Sequence, residues 1–376
     1  MTEPTPDHRT DGVVFPADLD DLTADVLGAA LNDRVPGVVV DHVEIVVAKH
    51  AGEGVASTAD RVVLDLTYAP DTSGDLPSRL VLKTMLASAH APRAMYESEV
   101  RFYREIRDEL DIETPRVFAS HFDPPTGRFG LLLEDLTARG ARFPSALDPV
   151  SLAEVRSILA NLASLHAGFW DSPRFATELS WVPTPTSGGM FHVFDTIGLE
   201  LIEDQVERHP FKAELIAPLG RTVAQMWGPL WQVQRQHTVA PTTLLHGDPH
   251  VGNTYLLAGD RGGLLDWQLM VRGSWAHDLT YLLITALDTE IRRTHQRDLL
   301  AEYLDRLAAA GVETVPTSDT AFSQYRAAAL CGLVIGWLIC PPENYGPEIT
   351  AANITRMVAA VEDLETFDAI AAASPS

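Results

Sequence analysis

The chain has little positive charge and very little lysine. Its 376 residues include 28 Lys and Arg against 52 Asp and Glu, so the formal net charge is −24 at pH 7. Nucleic-acid and anionic-membrane surfaces require basic patches that meet phosphate groups, and we therefore expect neither kind of partner. Lysine occurs only at Lys49, Lys83 and Lys212, so a lysine inside an apolar strand, as Lys83 is, stands out.

Cysteine and long hydrophobic runs are also scarce. The two cysteines, Cys331 and Cys340, share the apolar stretch 327–340. Helical spacing would place them more than about two turns apart, too far for a disulfide, so we expect free thiols in a reducing compartment. The stretch is too short to span a bilayer, and the polar N-terminus contains no apolar leader. We therefore expect a cytoplasmic protein, monomeric or homodimeric, with no membrane partner.

Length and composition predict a globular protein of two domains, since hydrophobic residues make up 46% of the chain. The first 16 residues are expected to be disordered. Residues 37–133 then alternate as three strands, a helix over 91–110 and two more strands, which predicts an antiparallel sheet with one main helix.

Beyond Asp135 the pattern changes to helices, interrupted by two short strands near 243–245 and 263–265. We therefore predict an α+β fold with three segments. These are a disordered terminus over 1–16, a small N-lobe over 17–135 and a larger, mostly helical C-lobe over 136–376.

The densest group of polar residues follows the two short strands of the C-lobe. His246, Gly247 and Asp248 come directly after one strand, with Asn253 five residues beyond Asp248, and Asp266 follows the next strand. Phosphoryl transfer needs such a set: one carboxylate orients or deprotonates the attacking hydroxyl, and an amide and a second carboxylate hold Mg²⁺. A polar hairpin whose Asp and Asn only cap turns is the alternative interpretation.

A second signal is a lysine on a strand of the predicted sheet. Lys83 ends the apolar run Val81-Leu82-Lys83, and Glu99 lies sixteen residues later on the following helix. Such a lysine can reach the phosphates of a nucleotide when a carboxylate holds it in place. Glu97 is the competing partner, but Glu99 lies closer to the inward side of the helix. A lysine that snorkels from an edge strand is the alternative.

Together these residues resemble the aminoglycoside phosphotransferase and choline kinase superfamily, in the branch close to ecdysteroid-kinase-like proteins. The resemblance covers most of the chain, about 22–370, and the His-Gly-Asp and Asp-Trp pair is its most specific part. The matching segments are Val81-Leu82-Lys83, Glu99 with Phe102-Tyr103, Leu133-Glu134-Asp135-Leu136, Leu165-His166-Ala167 with Phe169-Trp170, His246-Gly247-Asp248 with His250 and Asn253, Asp266-Trp267-Gln268, and Asp278-Leu279.

The resemblance implies a bilobal protein-kinase-like fold and an ATP- and Mg²⁺-dependent kinase that phosphorylates a hydroxyl of a small molecule. It also implies the role of each matching residue. Asp248 would be the catalytic base, Asn253 and Asp266 the Mg²⁺ ligands, Lys83 and Glu99 the phosphate-holding pair, Glu134 to Leu136 the hinge that meets adenine, His246 a brace of the catalytic loop, and Asp278 a partner of loop backbone and a helix cap.

The loop that would cover the phosphates departs from the usual glycine pattern. Gly52-Glu53-Gly54 is not a full G-x-G-x-x-G, and a plain β-turn explains it equally well. Ser57 in the same loop is a weaker candidate for a phosphate contact.

Two other functions are compatible with the sequence. A metal-dependent hydrolase could use His246, Asp248 and His250 as a zinc site, although such a site requires no strand lysine and no Glu99. A nucleotide-binding pseudokinase is the other. The residues expected to carry out catalysis are nevertheless all retained, namely Lys83, Glu99, Asp248, Asn253 and Asp266.

The acceptor remains open between a cationic amine and a lipophilic alcohol. The acidity of the chain would suit the first, and its apolar stretch and ecdysteroid-kinase-like resemblance the second. The acceptor site is expected between helices of the C-lobe, with walls from 170–197 and from Trp227, Trp231, Trp337 and Tyr345.

Overall fold

The computed structural model describes residues 13–51, 58–72, 75–86, 91–239 and 241–373. The chain divides into two compact units. The first contains the described residues up to 108 together with 116–135, and the second contains 109–115 and the residues from 136 onward. Residues 109–115, expected in the N-lobe, thus make their contacts with the second unit.

The first unit is built on a five-stranded antiparallel sheet, as the sequence predicts. Its strands lie in the order β1-β2-β3-β5-β4. In β2, every second residue is buried, because successive side chains of a strand point to opposite faces. The strands are β1 (Val40–Lys49), β2 (Asp60–Tyr68), β3 (Arg79–Thr84), β4 (Val117–Phe122) and β5 (Phe129–Glu134).

Two helices accompany this sheet. Helix α1 (Ala24–Leu31) begins after Thr23, whose hydroxyl accepts the N–H of Val26 and so satisfies one free donor of the first turn. Helix α2 (Arg93–Arg101) is the main helix and continues as a π-helical segment, Phe102–Ile106.

The expectation of disorder is wrong for the end of segment 1–16. Phe15 is 1% exposed and belongs to the core of the first unit. It packs over Gly130 in β5, where a Cβ atom would lie 2.3 Å from its ring. A single large aromatic side chain therefore anchors a stretch whose polar composition predicts no order; residues 1–12 lie outside the described part of the chain.

The second unit is mostly helical. Its first long helix, α3 (Leu152–Gly168), starts with a reciprocal capping box between Ser151 and Glu154. The helices that follow are α4 (Phe191–Val193), α5 (Leu199–Arg208), α6 (Pro210–Ile216), α7 (Val223–His237), α8 (Ala276–Ala286), α9 (Thr289–Ala309), α10 (Ser318–Cys331), α11 (Pro342–Tyr345), α12 (Pro347–Asp363) and α13 (Thr366–Ala372).

Four short strands between α7 and α8 form two antiparallel pairs. Strand β6 (Thr243–Leu245) pairs with β9 (Val271–Gly273), and β7 (Thr254–Leu257) pairs with β8 (Arg261–Leu264). The sequence predicts only β6 and β8. All four strands are three or four residues long, too short for alternation to reveal them, and β6 and β8 are predicted only because a short apolar run precedes each half of the polar motif.

Across the described residues, none of the helices combines the length and the apolarity that a bilayer crossing requires.

Candidate active site

The loop after β6 carries His246, Gly247 and Asp248, and its path depends on glycine. Gly247 has φ +85°, and a Cβ atom there would lie 1.9 Å from the carbonyl oxygen of Leu269. Any other residue would be strained in its backbone and would collide with main-chain atoms that cannot move aside. The tight turn delivers Asp248 from a buried strand to the wall of a cavity.

Asp278 holds this loop from below. Its carboxylate accepts the backbone N–H of His246 at 2.7 Å and that of Gly247 at 3.0 Å, and His166 lies 3.2 Å from it. Burial alone would raise the pKa of Asp278, but the hydrogen bond with His166 and the nearby imidazoles hold it below its usual value. The expected bonding to loop backbone is confirmed. The expected helix cap is not, because Trp275 occupies the N-cap of α8 and Asp278 lies in the first turn.

His246 links the two halves of the motif. Its Nε2 donates to the carbonyl oxygen of Leu265 at 2.9 Å, and its Nδ1 accepts the N–H of Asp248 at 3.3 Å. One nitrogen donates and the other accepts, which is the pattern of a neutral imidazole. Burial lowers the pKa of His246 in agreement with this. The predicted bracing role is confirmed, and because both nitrogens face backbone groups, the ring offers no lone pair to a zinc ion shared with Asp248 and His250.

Asp248 lies beside Asn253, as the five-residue spacing predicts. The Asn253 side-chain nitrogen donates to the Asp248 carboxylate at 3.0 Å and to its carbonyl oxygen at 2.9 Å. The Asp248 side chain keeps 22% of its surface exposed. Burial, followed by the negative charge of Asp266, raises the pKa of Asp248 well above its ordinary value. The carboxylates of Asp248 and Asp266 therefore repel each other, which makes ionisation of Asp248 less favourable.

Asp266 occupies a strained turn directly after β8. Its φ of +68° is in the left-handed region, which non-glycine residues rarely adopt and which costs about 1–3 kcal/mol. The next residue, Trp267, is fully buried, and its indole nitrogen donates to the Thr114 hydroxyl at 3.1 Å. The Trp267 ring also packs on His246 with 4.6 Å between centroids. These contacts of the buried Trp267 indole therefore hold the turn that orients the Asp266 side chain.

The remaining histidines of the motif region have structural partners. His250 accepts the N–H of Gly252 through Nδ1 at 3.0 Å and contacts the Tyr345 hydroxyl through Nε2 at 3.1 Å. His250 therefore satisfies polar groups of its own loop. His166 is a satisfied core histidine, fully buried between Asp278 and the Tyr303 hydroxyl.

Asp248 borders a cavity of about 90 Å³ that opens to solvent. Polar groups reach it from Asp248, Tyr281, His277 and a few neighbours. Most of its lining is apolar and comes from Met190, Phe191, Phe194, Leu245, Leu269, Val271 and Ile335.

The predicted cavity walls are partly wrong. The stretch 170–197 contributes, but Trp227, Trp231, Trp337 and Tyr345 are absent from the lining. Trp227 and Trp231 pack edge to face on each other, and Trp337 is buried against Tyr345. These aromatics form packing contacts instead.

Within the first unit, Lys83 forms a buried ion pair. Its ammonium lies 2.6 Å from the Glu99 carboxylate, with the two side chains only 6% and 1% exposed. A buried lysine is expensive without a carboxylate partner, so this pair settles the choice between Glu99 and Glu97. It also excludes a lysine that snorkels from an edge strand, because β3 lies in the middle of the sheet.

The sequence matches the ecdysteroid kinase-like family over residues 51–313, more than half of the chain. The chain belongs to the ecdysteroid kinase-like family. The predicted resemblance is therefore confirmed. A comparison with curated proteins gives no significant sequence match.

Solved structures show where else this ecdysteroid kinase-like fold occurs. A choline kinase from Cryptosporidium parvum Iowa II is similar with a TM-score of 0.54 and 10% identity, over 91% of this chain and 95% of that one. A Plasmodium vivax ethanolamine kinase is similar with a TM-score of 0.51 and 10% identity, over 88% and 84%. At such low identity the likeness concerns the fold, and the predicted α+β protein-kinase-like fold is confirmed.

The predicted hinge and phosphate loop are only partly described in this ecdysteroid kinase-like chain. The N–H of Glu134 donates to the carbonyl oxygen of Arg116 at 3.0 Å, and the Glu134 carboxylate accepts the N–H of Arg116 at 2.8 Å. Leu136 is buried, and its carbonyl accepts the N–H of Ala141. Ser57 and the Gly52-Glu53-Gly54 turn lie outside the described residues. Adenine and phosphate contacts of these residues stay predictions.

Sequence reasoning missed Tyr281, a prominent side chain of the cavity. It lies one helical turn after Asp278 on α8, and this spacing was the only available signal. Its side chain packs against Gly332 and Gly336 of the π-helical segment Gly332–Leu338. A Cβ atom at Gly332 would lie 2.9 Å from the Tyr281 ring, and one at Gly336 would lie 2.3 Å from the Tyr281 hydroxyl oxygen. The two glycines thus make room for Tyr281 beside Asp248.

Proposed function

We propose that this chain is an ATP- and Mg²⁺-dependent kinase that phosphorylates a hydroxyl group of a small molecule held in the cavity beside Asp248. The observation that carries the proposal is the position of the Asp248 carboxylate on the wall of a mostly apolar cavity, with a pKa raised by burial and by Asp266. A general base works best when its pKa lies near the working pH. An ordinary surface carboxylate would be too weak a base.

The donor set fits a magnesium ion. Asp248, Asn253 and Asp266 offer hard oxygen atoms, which Mg²⁺ prefers. The side-chain nitrogen of Asn253 is turned to Asp248, so its amide oxygen faces the other way. A divalent cation held by Asp266 would offset part of the negative charge that raises the pKa of Asp248. We assign Asn253 and Asp266 as the ligands; the ion would neutralise the charge of the phosphates.

Each residue of the proposed site has a separate role in the reaction. Asp248 accepts the proton of the acceptor hydroxyl and orients that oxygen. Lys83, held by Glu99, would bind the nucleotide phosphates, and main-chain groups of Glu134 and Leu136 would meet adenine. This division follows the general logic of phosphoryl transfer, in which positioning and charge neutralisation supply most of the rate.

The cavity favours an acceptor with an apolar body. Its walls are mostly aliphatic and aromatic side chains, and Asp248 is the carboxylate among the lining residues. Burying a charged amine against such walls would cost more than burying a hydrocarbon. Of the two acceptor classes that the sequence leaves open, we therefore propose the lipophilic alcohol.

The test compares Asp248→Asn with wild type and with Asp305→Asn, an exposed control on α9. ADP release is measured against a panel of aminoglycosides, macrolides, amino alcohols, sterols and hydroxy acids. We expect turnover with lipophilic alcohols to fall by about 10²- to 10⁴-fold in Asp248→Asn, while the Asp305→Asn variant keeps wild-type rates. Thermal stabilisation by Mg-ATP should persist in both.

Retained turnover in Asp248→Asn would remove Asp248 from the base role. Stabilisation by Mg-ATP without transfer to any acceptor would favour the pseudokinase. Stoichiometric zinc in the purified protein without nucleotide binding would revive the hydrolase.

A further inference from the structure

Three buried residues from three helices meet beside the cavity. His237 is the last residue of α7, His277 lies in the first turn of α8, and Cys331 is the last residue of α10. One nitrogen of each imidazole and the Cys331 sulfur all lie within 4.8 Å of one another. Within the described part of the chain, these are the side chains of His, Cys or acid type that gather in this way. The exposed fractions are 5%, 9% and 0%.

One ring nitrogen of His237 has a lone pair or proton that no hydrogen bond uses. Its Nδ1 atom is buried and has no hydrogen-bond partner. A buried polar atom without a partner costs about 1–3 kcal/mol, so its presence calls for a ligand.

His277 is oriented as a metal-binding histidine usually is. Its Nε2 bonds to the carbonyl oxygen of Gly247 at 2.9 Å. A carbonyl can only accept, so Nε2 carries the proton and Nδ1 of the neutral ring keeps its lone pair. Histidine ligands of metals typically donate their second nitrogen to a backbone carbonyl in this way, which fixes the tautomer.

We propose that His237, His277 and Cys331 form a binding site for a zinc-class transition-metal ion, separate from the Mg²⁺ ligands. Two imidazoles and a thiolate are the soft and borderline ligands that such ions select. A tetrahedral zinc ion places its nitrogen and sulfur ligands about 3.2–3.8 Å apart, which is compatible with ligand atoms that lie within 4.8 Å of one another. His277 and Cys331 line the cavity, which leaves the fourth position to water or another small ligand from that side.

The ion would lie in the wall of the cavity, across the His277 ring from Gly247, the neighbour of Asp248. Its coordinated ligand would project into the cavity and narrow it, so zinc would inhibit transfer to the acceptor. Binding of the metal is independent of the proposed kinase function; only the inhibition depends on it.

The binding test uses Co²⁺, which reports thiolate coordination by a sulfur-to-metal charge-transfer band in the near ultraviolet. The chain contains two cysteines, so Cys340→Ser leaves Cys331 as the sole thiol. We expect one Co²⁺ per chain with this band in wild type and in Cys340→Ser, displaced by Zn²⁺ but not by excess Mg²⁺. In Cys331→Ser the band disappears, and in His237→Gln the affinity falls by about 10- to 100-fold or more.

The Cys340→Ser variant tests whether Cys331 binds the metal ion, even if the other variants fold poorly. No sulfur band in folded Cys340→Ser, or full displacement of Co²⁺ by Mg²⁺, would overturn the site. If the band appears and Zn²⁺ slows turnover in wild type and Cys340→Ser but spares Cys331→Ser, both binding and inhibition are supported. A band without inhibition would uphold the metal site and contradict its proposed effect on transfer.

Discussion

The ammonium of Lys83 lies 2.6 Å from the carboxylate of Glu99, and both side chains are buried in the first unit. Removing one charge would leave the other buried and unpaired, which typically costs about 3–5 kcal/mol. We therefore expect Lys83→Met to lower the free energy of unfolding by about that amount and to abolish turnover. Urea denaturation and ADP release measure the two effects.

Arg79 and Asp65 on the same sheet provide the matched control. They are also 2.6 Å apart, but their side chains are 45% and 37% exposed. Because exposed ion pairs contribute little, Arg79→Met should cost less than about 1 kcal/mol and keep its activity. Equal losses in the two variants would contradict the burial argument. A double variant, Lys83→Met with Glu99→Leu, should recover stability without recovering turnover.

The close approach of Gly336 to Tyr281 predicts an overpacked variant. A Cβ atom at Gly336 would lie 2.3 Å from the Tyr281 hydroxyl, so Gly336→Ala must displace that side chain at a cost of about 1–3 kcal/mol. Because Tyr281 borders the cavity, the KM for the acceptor should rise more than kcat falls. Steady-state kinetics and thermal unfolding check both expectations.

Gly168 at the end of α3 is the control, since a Cβ there would meet only Leu110 at 3.9 Å. Gly168→Ala should be neutral or stabilise the protein by about 0.5–1 kcal/mol. Adding Tyr281→Phe to Gly336→Ala should restore part of the lost stability, because it removes the atom in closest contact. No rescue would mean that the segment around Gly336 shifts instead.

The buried Lys212 on α6 predicts a dependence of stability on pH. Its ammonium donates to the carbonyl oxygens of Trp337, Leu338 and Cys340, and burial lowers its pKa to about 8. The unfolded value is about 10.4. Between these values the unfolded chain holds more protons than the folded one, so the unfolding free energy rises with pH. The rise should be present in wild type and absent in Lys212→Met.

Lys49→Met, at an exposed end of β1, should keep the wild-type slope between pH 8 and 10.4. At pH 7 the Lys212→Met variant should also be less stable by about 1–3 kcal/mol, because three buried carbonyls lose their donor. A wild-type slope that persists in Lys212→Met would assign the titration to another group.

Asp278 predicts the opposite dependence on pH. Its carboxylate is held ionised below its usual pKa by the His166 hydrogen bond and neighbouring imidazoles, despite burial. It therefore contributes stability above its unfolded pKa of about 3.9, and this contribution is lost as the pH falls through the lower folded value. Asp278→Asn should lose about 1–3 kcal/mol at pH 7, because its NH₂ group cannot accept an N–H of the loop.

Urea titrations at pH 7 and below pH 4 separate the two effects for Asp278. Wild type should lose stability more steeply than Asp278→Asn on acidification, and Asp305→Asn should follow wild type. Parallel curves for wild type and Asp278→Asn would contradict the depressed pKa.

The candidate site could be predicted from sequence where its geometry is local. Asn253 reaches Asp248 across five residues, and the turn that leads from β6 to Asp248 requires Gly247. The ion pair of Lys83 and Glu99 spans only a strand and the next helix. In each case the spacing within one or two elements nearly determines the contact.

Contacts between distant segments could not be predicted. Tyr281 fits against Gly336, fifty-five residues later, and neither periodicity nor a motif relates the two. Strand β9 forms only because the distant strand β6 completes its hydrogen bonds. The aromatic residues expected in the cavity instead pack against other aromatic side chains, because composition cannot distinguish a pocket wall from a packing contact.

The packing of Phe15 over Gly130 has a practical consequence for shortened versions of the protein. Because the first residues are polar, starting the chain at residue 17 would appear harmless. Such a truncation would nevertheless remove Phe15 and leave an empty space over Gly130. Losing a buried Phe typically costs about 3–5 kcal/mol. Trimming for crystallisation or fusion to a tag should therefore stop before Val13.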